Sequence, residues 1–209
     1  MLWDYVAGFD RVLADVDRRT LPWAILARAA EIVAGMIHSS QYGSDSGFNV
    51  RDGVAVHSTA QIEPGVVIRG PAILMPGCSV GPNALLREGV YVGANARVGS
   101  SCEVKSSLLF SGSVLAHLNY VGNSIIGNEV NIEAGAVIAN HFNERTEREV
   151  AVVAFGTVMK TGVFKFGALV GDRSRIGANA VTTPGTILPP GSVVARLALV
   201  DQVADLAGV

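Results

Sequence analysis

The sequence has few aromatic and few charged residues. Phe, Trp and Tyr make up 6% of its 209 residues and Asp, Glu, Lys and Arg 16%, whereas the hydrophobic types reach 49%. So little charge beside so much apolar material excludes an intrinsically disordered chain. A conventional globular core would use more aromatic rings, so the composition favours a repetitive fold built from small and aliphatic residues.

Cysteine and net charge are also low. Two Cys residues exclude a disulfide framework and fit a reducing cytosol. A formal charge of -2 predicts no general attraction to nucleic acid or to an anionic membrane. The N-terminus lacks the basic region of a signal peptide, and the apolar stretch 22–37 is short for a bilayer and contains Arg28 and Glu31. We therefore expect a cytoplasmic protein that binds neither nucleic acid nor a membrane.

A six-residue period begins at Val56. The aliphatic residues at this phase are Val56, Ile62, Ile68, Leu74, Val80, Leu86, Val92, Val98 and Val104. A compact residue stands four positions after each of them, and residues that tolerate a left-handed backbone, such as Gly65 and Asn83, are frequent three positions after. This pattern is the hexapeptide repeat of an all-β solenoid, a parallel β-helix in which three hexapeptides close one triangular coil.

The repeat is interrupted twice. It slips between Val104 and Val114, which are ten positions apart instead of twelve, and is expected to resume with Val114, Tyr120, Ile126, Ile132 and Ile138 facing inward. It breaks again after Ile138 and returns at Val170, Ile176, Thr182, Leu188 and Val194. A break of this length predicts an inserted loop, and such loops usually carry function.

The repeat divides the chain into three parts. Residues 54–199 are expected to form the solenoid, with the inserted loop at about 139–168. Before it, residues 2–38 are typical of two helices, the second starting at Thr20 and Pro22, and residues 39–53 of a polar linker. We expect residues 1–53 to be either a remnant of an interdomain region or a cap over the first coil. Residues 200–209 form a tail, either a short helix or a frayed end.

Three cations share one register of the repeat. Arg69, Arg87 and Lys105 are 18 positions apart, which is one coil, so their side chains project outward in one column at a strand spacing of about 4.8 Å. Like charges stacked in this way repel each other. Either a phosphate-bearing ligand lies along the column, or the cations are solvated and discourage end-on association. Spacing alone leaves both interpretations open.

Residues 85–140 carry five motifs in a characteristic order. They read Leu-Leu-Arg87-Glu-Gly, Cys-Glu103-Val-Lys105, His117-Leu-Asn-Tyr120-Val-Gly, Val-Asn131-Ile-Glu-Ala-Gly and Ala-Asn140. In this order and spacing they resemble the acetyltransferase half of the bifunctional N-acetylglucosamine-1-phosphate uridylyltransferase/glucosamine-1-phosphate acetyltransferases. The resemblance covers roughly a quarter of the chain. It implies a left-handed β-helix that forms a homotrimer, with active sites between subunits that bind acetyl-CoA as cosubstrate and need no metal for acetyl transfer.

The resemblance also implies a catalytic set. His117 matches the general base that takes a proton from the attacking amine, Glu103 the carboxylate that orients its imidazole, and Asn140 a residue near the acetyl thioester. On the acceptor side it assigns residues that hold the sugar phosphate or contact the sugar. These are Arg87, Lys105, Tyr120, Asn131 and Lys165.

The sequence departs from the family pattern near the cofactor. His141 stands where the family has a Tyr, and Ala178 stands where it has a Ser that touches acetyl-CoA. Residues 142–164 replace a shorter family loop and are similar to the longer loop of archaeal-type sugar-1-phosphate nucleotidylyltransferase/acetyltransferases. We expect Asn140, His141 and Ala178 to lie at the cofactor. Candidate partners for the CoA phosphates are Arg173, Arg175 and Arg196.

The leading hypothesis is an acetyl-CoA-dependent N-acetyltransferase that acts on an amino sugar phosphate or a nucleotide-linked amino sugar. No Gly-rich nucleotide motif precedes the repeat, so we do not expect uridylyltransferase activity. One alternative is a non-catalytic protein that binds sugar nucleotides. Another is a zinc enzyme like the γ-class carbonic anhydrases, although His117 lacks the second His five residues on that such a site would need.

Overall fold

The computed structural model describes residues 2–38, 42–154 and 156–208, and these ranges contain five α-helices. The helices are α1 (Leu2–Tyr5), α2 (Phe9–Val12), α3 (Pro22–Ala27), α4 (Ala29–Ile37) and α5 (Gln202–Ala207). Pro22 occupies the first helical position of α3, as predicted. Two N-terminal helices were predicted, and the structure has four. Gly8, at φ 72°, precedes α2, and Arg28, at φ -113°, separates α3 from α4. No helix in these ranges is long and apolar enough to cross a membrane.

The strands are short and follow the six-residue period. In chain order they are β1 (Phe48–Arg51), β2 (Val54–His57), β3 (Gln61–Ile62), β4 (Val67–Arg69), β5 (Ala72–Leu74), β6 (Ser79–Val80), β7 (Leu85–Val92), β8 (Arg97–Val98), β9 (Glu103–Leu109), β10 (Val114–Leu115), β11 (Tyr120–Gly122), β12 (Ile125–Ile126), β13 (Asn131–Ile132), β14 (Val137–Ile138), β15 (Ala151–Ala154), β16 (Thr157–Lys160), β17 (Ala168–Val170), β18 (Arg175–Ile176), β19 (Val181–Thr182), β20 (Thr186–Leu188), β21 (Val193–Val194) and β22 (Leu199–Val200).

The strands of the repeat stack in parallel on three faces of a triangular coil. The open face is the seven-stranded sheet β21-β18-β13-β10-β8-β6-β3. The site face contains β4, the first halves of β7 and β9, and then β11, β14, β19 and β22; the covered face contains β2, β5, the second halves of β7 and β9, and then β12, β17 and β20. Along the chain Val56 pairs with Leu74 and Ile62 with Val80, so the predicted β-helix and its initial phase are confirmed.

The interior is a single column of aliphatic side chains. Leu74, Leu86 and Val104 are fully buried, and compact residues such as Cys78 and Cys102 fill the positions four residues after the aliphatic ones. Both cysteines are free and buried in this core. Burial of such side chains contributes about 1.5–3 kcal/mol each, which makes the stacked column the main source of stability.

The slip in the repeat is divided between two successive coils, at the same corner. The segment after Val104 and the segment after Val121 each reach the next inward position in five residues instead of six. As a result Leu115 and Val121 face inward and are fully buried, whereas Val114 and Tyr120 point outward and are half-buried. The prediction that Val114 and Tyr120 face the core was therefore wrong by one residue.

The second interruption is an insertion, as predicted. Ile138 pairs with Thr182 in the next coil, and between β14 and β17 the chain leaves the coil and forms an antiparallel hairpin from β15 and β16. The insertion departs from the corner between the site face and the covered face, which is also the corner where both short segments lie. All the irregularities of the repeat are thus concentrated along one edge of the solenoid.

The N-terminal helices lie along the covered face. Its outward residues are buried against the helices and the insertion; they include Ile73, Tyr91, Leu108, Ile125 and Leu169. Phe9 stacks on Phe110 with ring centroids 5.6 Å apart, and Trp23 meets Phe166 edge-on at 5.7 Å. The helices α3 and α4 therefore pack against the side of the solenoid, and an end cap formed by residues 1–53 stays a prediction.

The expected linker and tail both contain regular structure. Strand β1 pairs antiparallel with β2 through a turn at Asp52 and Gly53, which have φ angles of 50° and 73°. An Asp-Gly turn of this kind favours a tight hairpin, so the linker prediction was wrong for β1, while residues 39–41 lie outside the described residues. In the tail, Asp201 accepts a hydrogen bond from the amide of Ala204 and caps α5, which confirms the helical alternative.

Thr182 gives a test of the core. It occupies an aliphatic position of the site face and is fully buried, and its hydroxyl has no hydrogen-bond partner among the described residues. Thr182→Val removes an unsatisfied polar group at nearly constant shape, so the free energy of unfolding should rise by about 1 kcal/mol in urea denaturation. The matched control is Thr186→Val, which loses the 2.7 Å bond to the carbonyl of Thr183 and should lower that free energy by about the same amount. Changes of the same sign in both variants would contradict this account.

Candidate functional site

A cleft lies at the irregular corner between the site face and the covered face. It has a volume of about 670 Å³. Its floor contains Lys105, Ser106 and Asn123, and its walls are residues 26–30 of the N-terminal helices and residues 162–165 of the insertion. The five-residue segments lie at this corner, and the helices and the insertion flank it on either side. The cleft therefore follows directly from the breaks in the repeat.

The predicted column of cations lies beside this cleft. Arg69 pairs in register with Arg87, and Arg87 with Lys105. Two carboxylates relieve their repulsion: Arg87 Nε donates to Glu103 Oε1 at 2.8 Å, and Lys105 Nζ lies 3.1 Å from Glu88 Oε2. Arg87 also contacts Glu88 through Nη1. Four side chains thus form one ion-pair network, hereafter the Arg87 network, made of Arg87, Glu88, Glu103 and Lys105.

Charge pairing controls the protonation of this network. Burial disfavours the charged form of Arg87, but the ion pairs with Glu103 and Glu88 outweigh it and raise the pKa of the guanidinium. Burial also disfavours ionised Glu88, yet Lys105 and Arg87 together lower the pKa of its carboxyl below the usual range. The guanidinium of Arg87 and the carboxylate of Glu88 therefore face each other in their charged forms at neutral pH.

Tyr120 and Asn140 form a polar cluster next to the network. Tyr120 is the strand neighbour of Glu103, and burial, followed by the charge of Glu103, raises the pKa of its phenol. The absence of a side chain at Gly122 makes room, since a Cβ there would lie 2.6 Å from the Tyr120 hydroxyl and 2.7 Å from the Asn140 amide nitrogen. Asn140 Nδ2 donates to Asn123 Oδ1 at 2.7 Å. The phenol thus stays protonated at neutral pH and can hydrogen-bond a ligand.

Two other predicted residues lie at the same edge of the solenoid. The Nδ1 atom of His141 is 3.1 Å from Oδ1 of Asn140. Lys165 is exposed on the wall of the cleft next to Phe164, whose exposed fraction is 64%. Lys165 therefore borders the cleft that contains Lys105, whereas His141 lies beside Asn140.

His117 lies at a different corner, between the open face and the site face. Its carbonyl accepts a hydrogen bond from the amide of Gly135, and its ring is exposed. Ala178 occupies the equivalent position of this corner two coils further on. In the described chain Glu103 is bonded to Arg87, and no hydrogen bond joins it to His117. The predicted Glu103–His117 contact is therefore not formed in this structure, where the guanidinium of Arg87 engages the carboxylate.

A second polar group surrounds Asn131 on the open face. Asn131 is exposed and pairs in register with Arg175. Nearby, Glu133 accepts two hydrogen bonds from Arg196, at 2.8 and 2.9 Å, and one from the amide of Ala178 at 2.9 Å. The Arg196 bond, and then the Ala178 amide, lower the pKa of the Glu133 carboxyl. Two of the predicted CoA-phosphate partners, Arg175 and Arg196, thus line one groove.

The third of these candidates is separate. Arg173 stands at the corner between the covered face and the open face, where its amide donates to the carbonyl of Asn128. It does not share the groove of Arg175 and Arg196. Within the described residues, no three His, Cys, Asp or Glu side chains are grouped so that they could hold a metal ion.

Three residues of these groups were not predicted from the sequence: Glu88, Asn123 and Glu133. Glu88 and Asn123 have positive φ angles of 61° and 44° at the irregular corner. Asn is enriched in this conformation, so Asn123 after Gly122 was a usable signal for a turn. The Arg-Glu-Gly motif contains Glu88, but nothing in the spacing shows that its carboxylate turns back onto Arg87 and Lys105.

The fold and the repeat place the chain in the hexapeptide-repeat class of proteins, whose β-helix is left-handed. The sequence profile of the family described as the GMPPB C-terminal domain matches residues 68–193. The chain therefore belongs to the family of GMPPB C-terminal domains.

Two relatives illustrate the similarity in sequence. The bifunctional sugar-1-phosphate nucleotidylyltransferase/acetyltransferase of Sulfurisphaera tokodaii is 40% identical over 107 residues, which cover 48% of this chain and 26% of that protein. The bifunctional protein GlmU of Methanococcus vannielii is 35% identical over 106 residues, 50% of this chain and 25% of that protein. The chain spans about a quarter of the length of these relatives. The predicted family resemblance is confirmed.

Two solved structures illustrate the similarity in structure. The hexapeptide transferase family protein of Anaplasma phagocytophilum has a TM-score of 0.41 and 17% identity, covering 69% of this chain and 70% of that chain. The acetyltransferase domain of PglB from Neisseria gonorrhoeae, in complex with acetyl coenzyme A, has a TM-score of 0.39 and 17% identity, covering 72% of this chain and 58% of that chain.

The gap over Gly122 gives a test of the polar cluster. Gly122→Ala should push the Tyr120 hydroxyl and the Asn140 amide away from each other, because both lie within 2.7 Å of the new Cβ. We expect the pKa of the Tyr120 phenol to fall towards its ordinary value, since the ring moves into solvent. Absorbance titration of the phenols measures this, with Tyr120→Phe used to assign the transition. If Tyr120 titrates identically in the wild type and in Gly122→Ala, this account of the packing around Gly122 is wrong.

Proposed function

We propose that the chain is an acetyl-CoA-dependent N-acetyltransferase that acylates the amine of an amino sugar phosphate or a nucleotide-linked amino sugar. The observation that supports this most directly is the register pairing of Arg87 with Lys105, which lies on the floor of the cleft, with Tyr120 and Asn140 beside the pair. Side chains of Arg87 and Lys105 are 25% and 12% exposed, so a ligand phosphate would meet cations that are partly withdrawn from water. A cytoplasmic location remains part of the prediction.

The acceptor subsite would use both walls of the cleft. Lys165 on the insertion faces the same cavity as Lys105 and adds a third cation. Tyr120 keeps its proton and can donate to a sugar hydroxyl. Related proteins are named as sugar-1-phosphate nucleotidylyltransferases and acetyltransferases, which agrees with a phosphorylated sugar at this position.

The proposed chemistry is direct acyl transfer. The amine attacks the thioester carbonyl, a C–N bond forms, and the proton of the amine passes to His117. The C–S bond then breaks, CoA leaves as a thiolate, and His117 can return the proton to it. A hydrogen-bond donor near Asn140 would stabilise the oxyanion during the step. Asn140, His141 and Ala178 would lie near the donor, with Arg175 and Arg196 available to the CoA phosphates.

We propose that the complete site forms in a homotrimer. Asn131 points outward from the open face, whereas Tyr120 points outward from the site face of the same coil. One ligand can touch both positions if a second copy supplies the open face. The corner of His117 is suited to such a contact, because Leu118 and Leu197 along it are 66% and 77% exposed.

One observation favours a second function, a non-catalytic protein that binds sugar nucleotides. Glu103 is occupied by Arg87, so within the described chain His117 has no carboxylate to orient its imidazole. A neighbouring copy that supplies such a partner would restore the catalytic hypothesis. Turnover measurements distinguish the two functions.

Release of CoA thiol tests the proposed transfer. The full chain is assayed with acetyl-CoA and a panel of amino sugars, their 1-phosphates and nucleotide-linked amino sugars. At least one acceptor should give turnover above hydrolysis, and His117→Ala should reduce it about a hundredfold or more, because a general base contributes at least that much. His38→Ala is the matched control, since His38 is exposed at the end of α4 and should leave turnover unchanged. The acetyltransferase proposal is refuted if none of the acceptors gives turnover above hydrolysis, or if His117→Ala turns over as fast as the wild type.

Mass in solution tests the proposed assembly. Light scattering should give about three times the chain mass of 21.7 kDa. Leu118→Asp should shift the protein towards monomer and reduce turnover together with it, because a charge would be buried in the interface. Leu206→Asp on α5 is the matched control, since Leu206 is 49% exposed and remote from the His117 corner. A wild-type mass near that of one chain would exclude the shared site.

A further inference from the structure

Glu88 occupies the position at which a phosphate would meet Arg87 and Lys105. One carboxylate oxygen of Glu88 lies 3.1 Å from Lys105 Nζ, and the other contacts Arg87 Nη1. The carboxylate therefore bridges the two cations with the same two-oxygen geometry that an anionic ligand would use. Glu103 takes the remaining donors of Arg87, Nε and Nη2.

The backbone of Glu88 is fixed while its side chain is accessible. Its φ angle is 61°, its carbonyl accepts a 2.8 Å hydrogen bond from Ser106 Oγ, and a Cβ on the following Gly89 would clash with the backbone of Ala30 in α4. The corner therefore fixes the backbone from which the Glu88 side chain reaches the cations. The side chain of Glu88 is nevertheless 54% exposed, against 33% for Glu103. Of the two carboxylates, Glu88 is thus the one that can swing into water at lower cost.

The charge of the Arg87 network is balanced without a ligand. Arg87 and Lys105 supply two positive charges, and Glu88 and Glu103 supply two negative charges. A phosphate that approached this network without displacing a carboxylate would meet a group with no net charge. Displacement of Glu88 leaves one excess positive charge and frees both the ammonium of Lys105 and Nη1 of Arg87.

We propose that Glu88 is a specificity-determining residue that competes from within the chain for the anion subsite of Arg87 and Lys105. Every phosphate or sulfate that binds there must displace the Glu88 carboxylate, so the affinity for such groups is reduced by a common factor. Ligands without an anionic group at this position are unaffected. The inference rests on the proposed function in so far as it takes this subsite to receive the acceptor, but the competition itself is a property of binding.

Sulfate binding tests the competition, because sulfate is a dianion that mimics a phosphate group. The dissociation constant of sulfate is measured by calorimetry on the full chain at constant ionic strength, with chloride as the balancing anion. Glu88→Gln retains the size of the side chain and removes its charge, so the dissociation constant should fall about tenfold. Glu88→Asn, whose residue type tolerates a positive φ, is a second variant and should give the same direction of change.

Two controls separate competition from a general effect of charge. Glu129→Gln removes one negative charge from another exposed corner position with φ 55°, and should leave the dissociation constant unchanged. Lys105→Met in the Glu88→Gln background should abolish the gain, because it removes the cation that Glu88 releases. Unchanged or weaker sulfate binding in both Glu88 variants, with the fold intact by circular dichroism, would overturn the proposal, since Glu88 would then be neutral to the subsite or needed to position Lys105.

The outcome can be distinguished from that of the proposed acetyl transfer. Tighter sulfate binding in Glu88→Gln without CoA-thiol release from any acceptor supports the competition and refutes the transferase. CoA-thiol release in the wild type with no gain in sulfate binding refutes the competition alone. Where turnover is found, Glu88→Gln should also lower the KM for a phosphorylated amino sugar about tenfold while leaving the KM for the unphosphorylated sugar unchanged.

Discussion

The width of the triangular interior is the constraint on which the rest of the structure depends. Each coil admits one aliphatic side chain per face and a compact residue beside each corner, so residues such as Leu74, Leu86 and Cys78 fill it completely. No space remains inside for a ligand or for a polar catalytic group. Function must therefore lie on the outer surface, where side chains of successive strands stand in columns at the strand spacing of about 4.8 Å. A flat face offers little enclosure, and only a departure from the period can create a cleft.

Enclosure comes from segments that do not belong to the repeat. The helices and the insertion cover one face with an apolar layer that includes Phe9, Trp23 and Phe166. The same two segments extend past the edge of that face and form the walls of the cleft over Lys105. Covering the face and enclosing the site are thus one packing arrangement. The five-residue corners contain Lys105 and Asn123, so the floor of the cleft lies where the repeat is irregular.

The sequence predicted those features that depend on spacing alone. The stacking of Arg69, Arg87 and Lys105 followed from a fixed coil length, and the inserted loop from loss of the period. The position of the slip could not be predicted, because Val114-Leu115 and Tyr120-Val121 each offer two adjacent apolar residues that suit the interior. The side-by-side packing of the helices and the turn of Glu88 onto Lys105 depend on long-range contacts and side-chain torsions that no periodicity contains. The Asp-Gly turn at residues 52–53 was a readable signal for a hairpin.

Parallel stacking also creates the electrostatic problem that the site solves. Cations in register on adjacent strands repel each other, and in an empty site this repulsion would oppose folding. Glu88 and Glu103 remove it from within the chain, so the coil is stable without any ligand. The same carboxylates weaken the field that an incoming phosphate would meet. Removing one of these carboxylates would strengthen phosphate binding, but it would also restore the repulsion between the cations in the ligand-free protein. Stability and anion affinity are therefore opposed at this network. Of the two carboxylates of the Arg87 network, the more exposed one, Glu88, bridges both cations. The balance between stability and anion affinity is therefore most easily changed at Glu88.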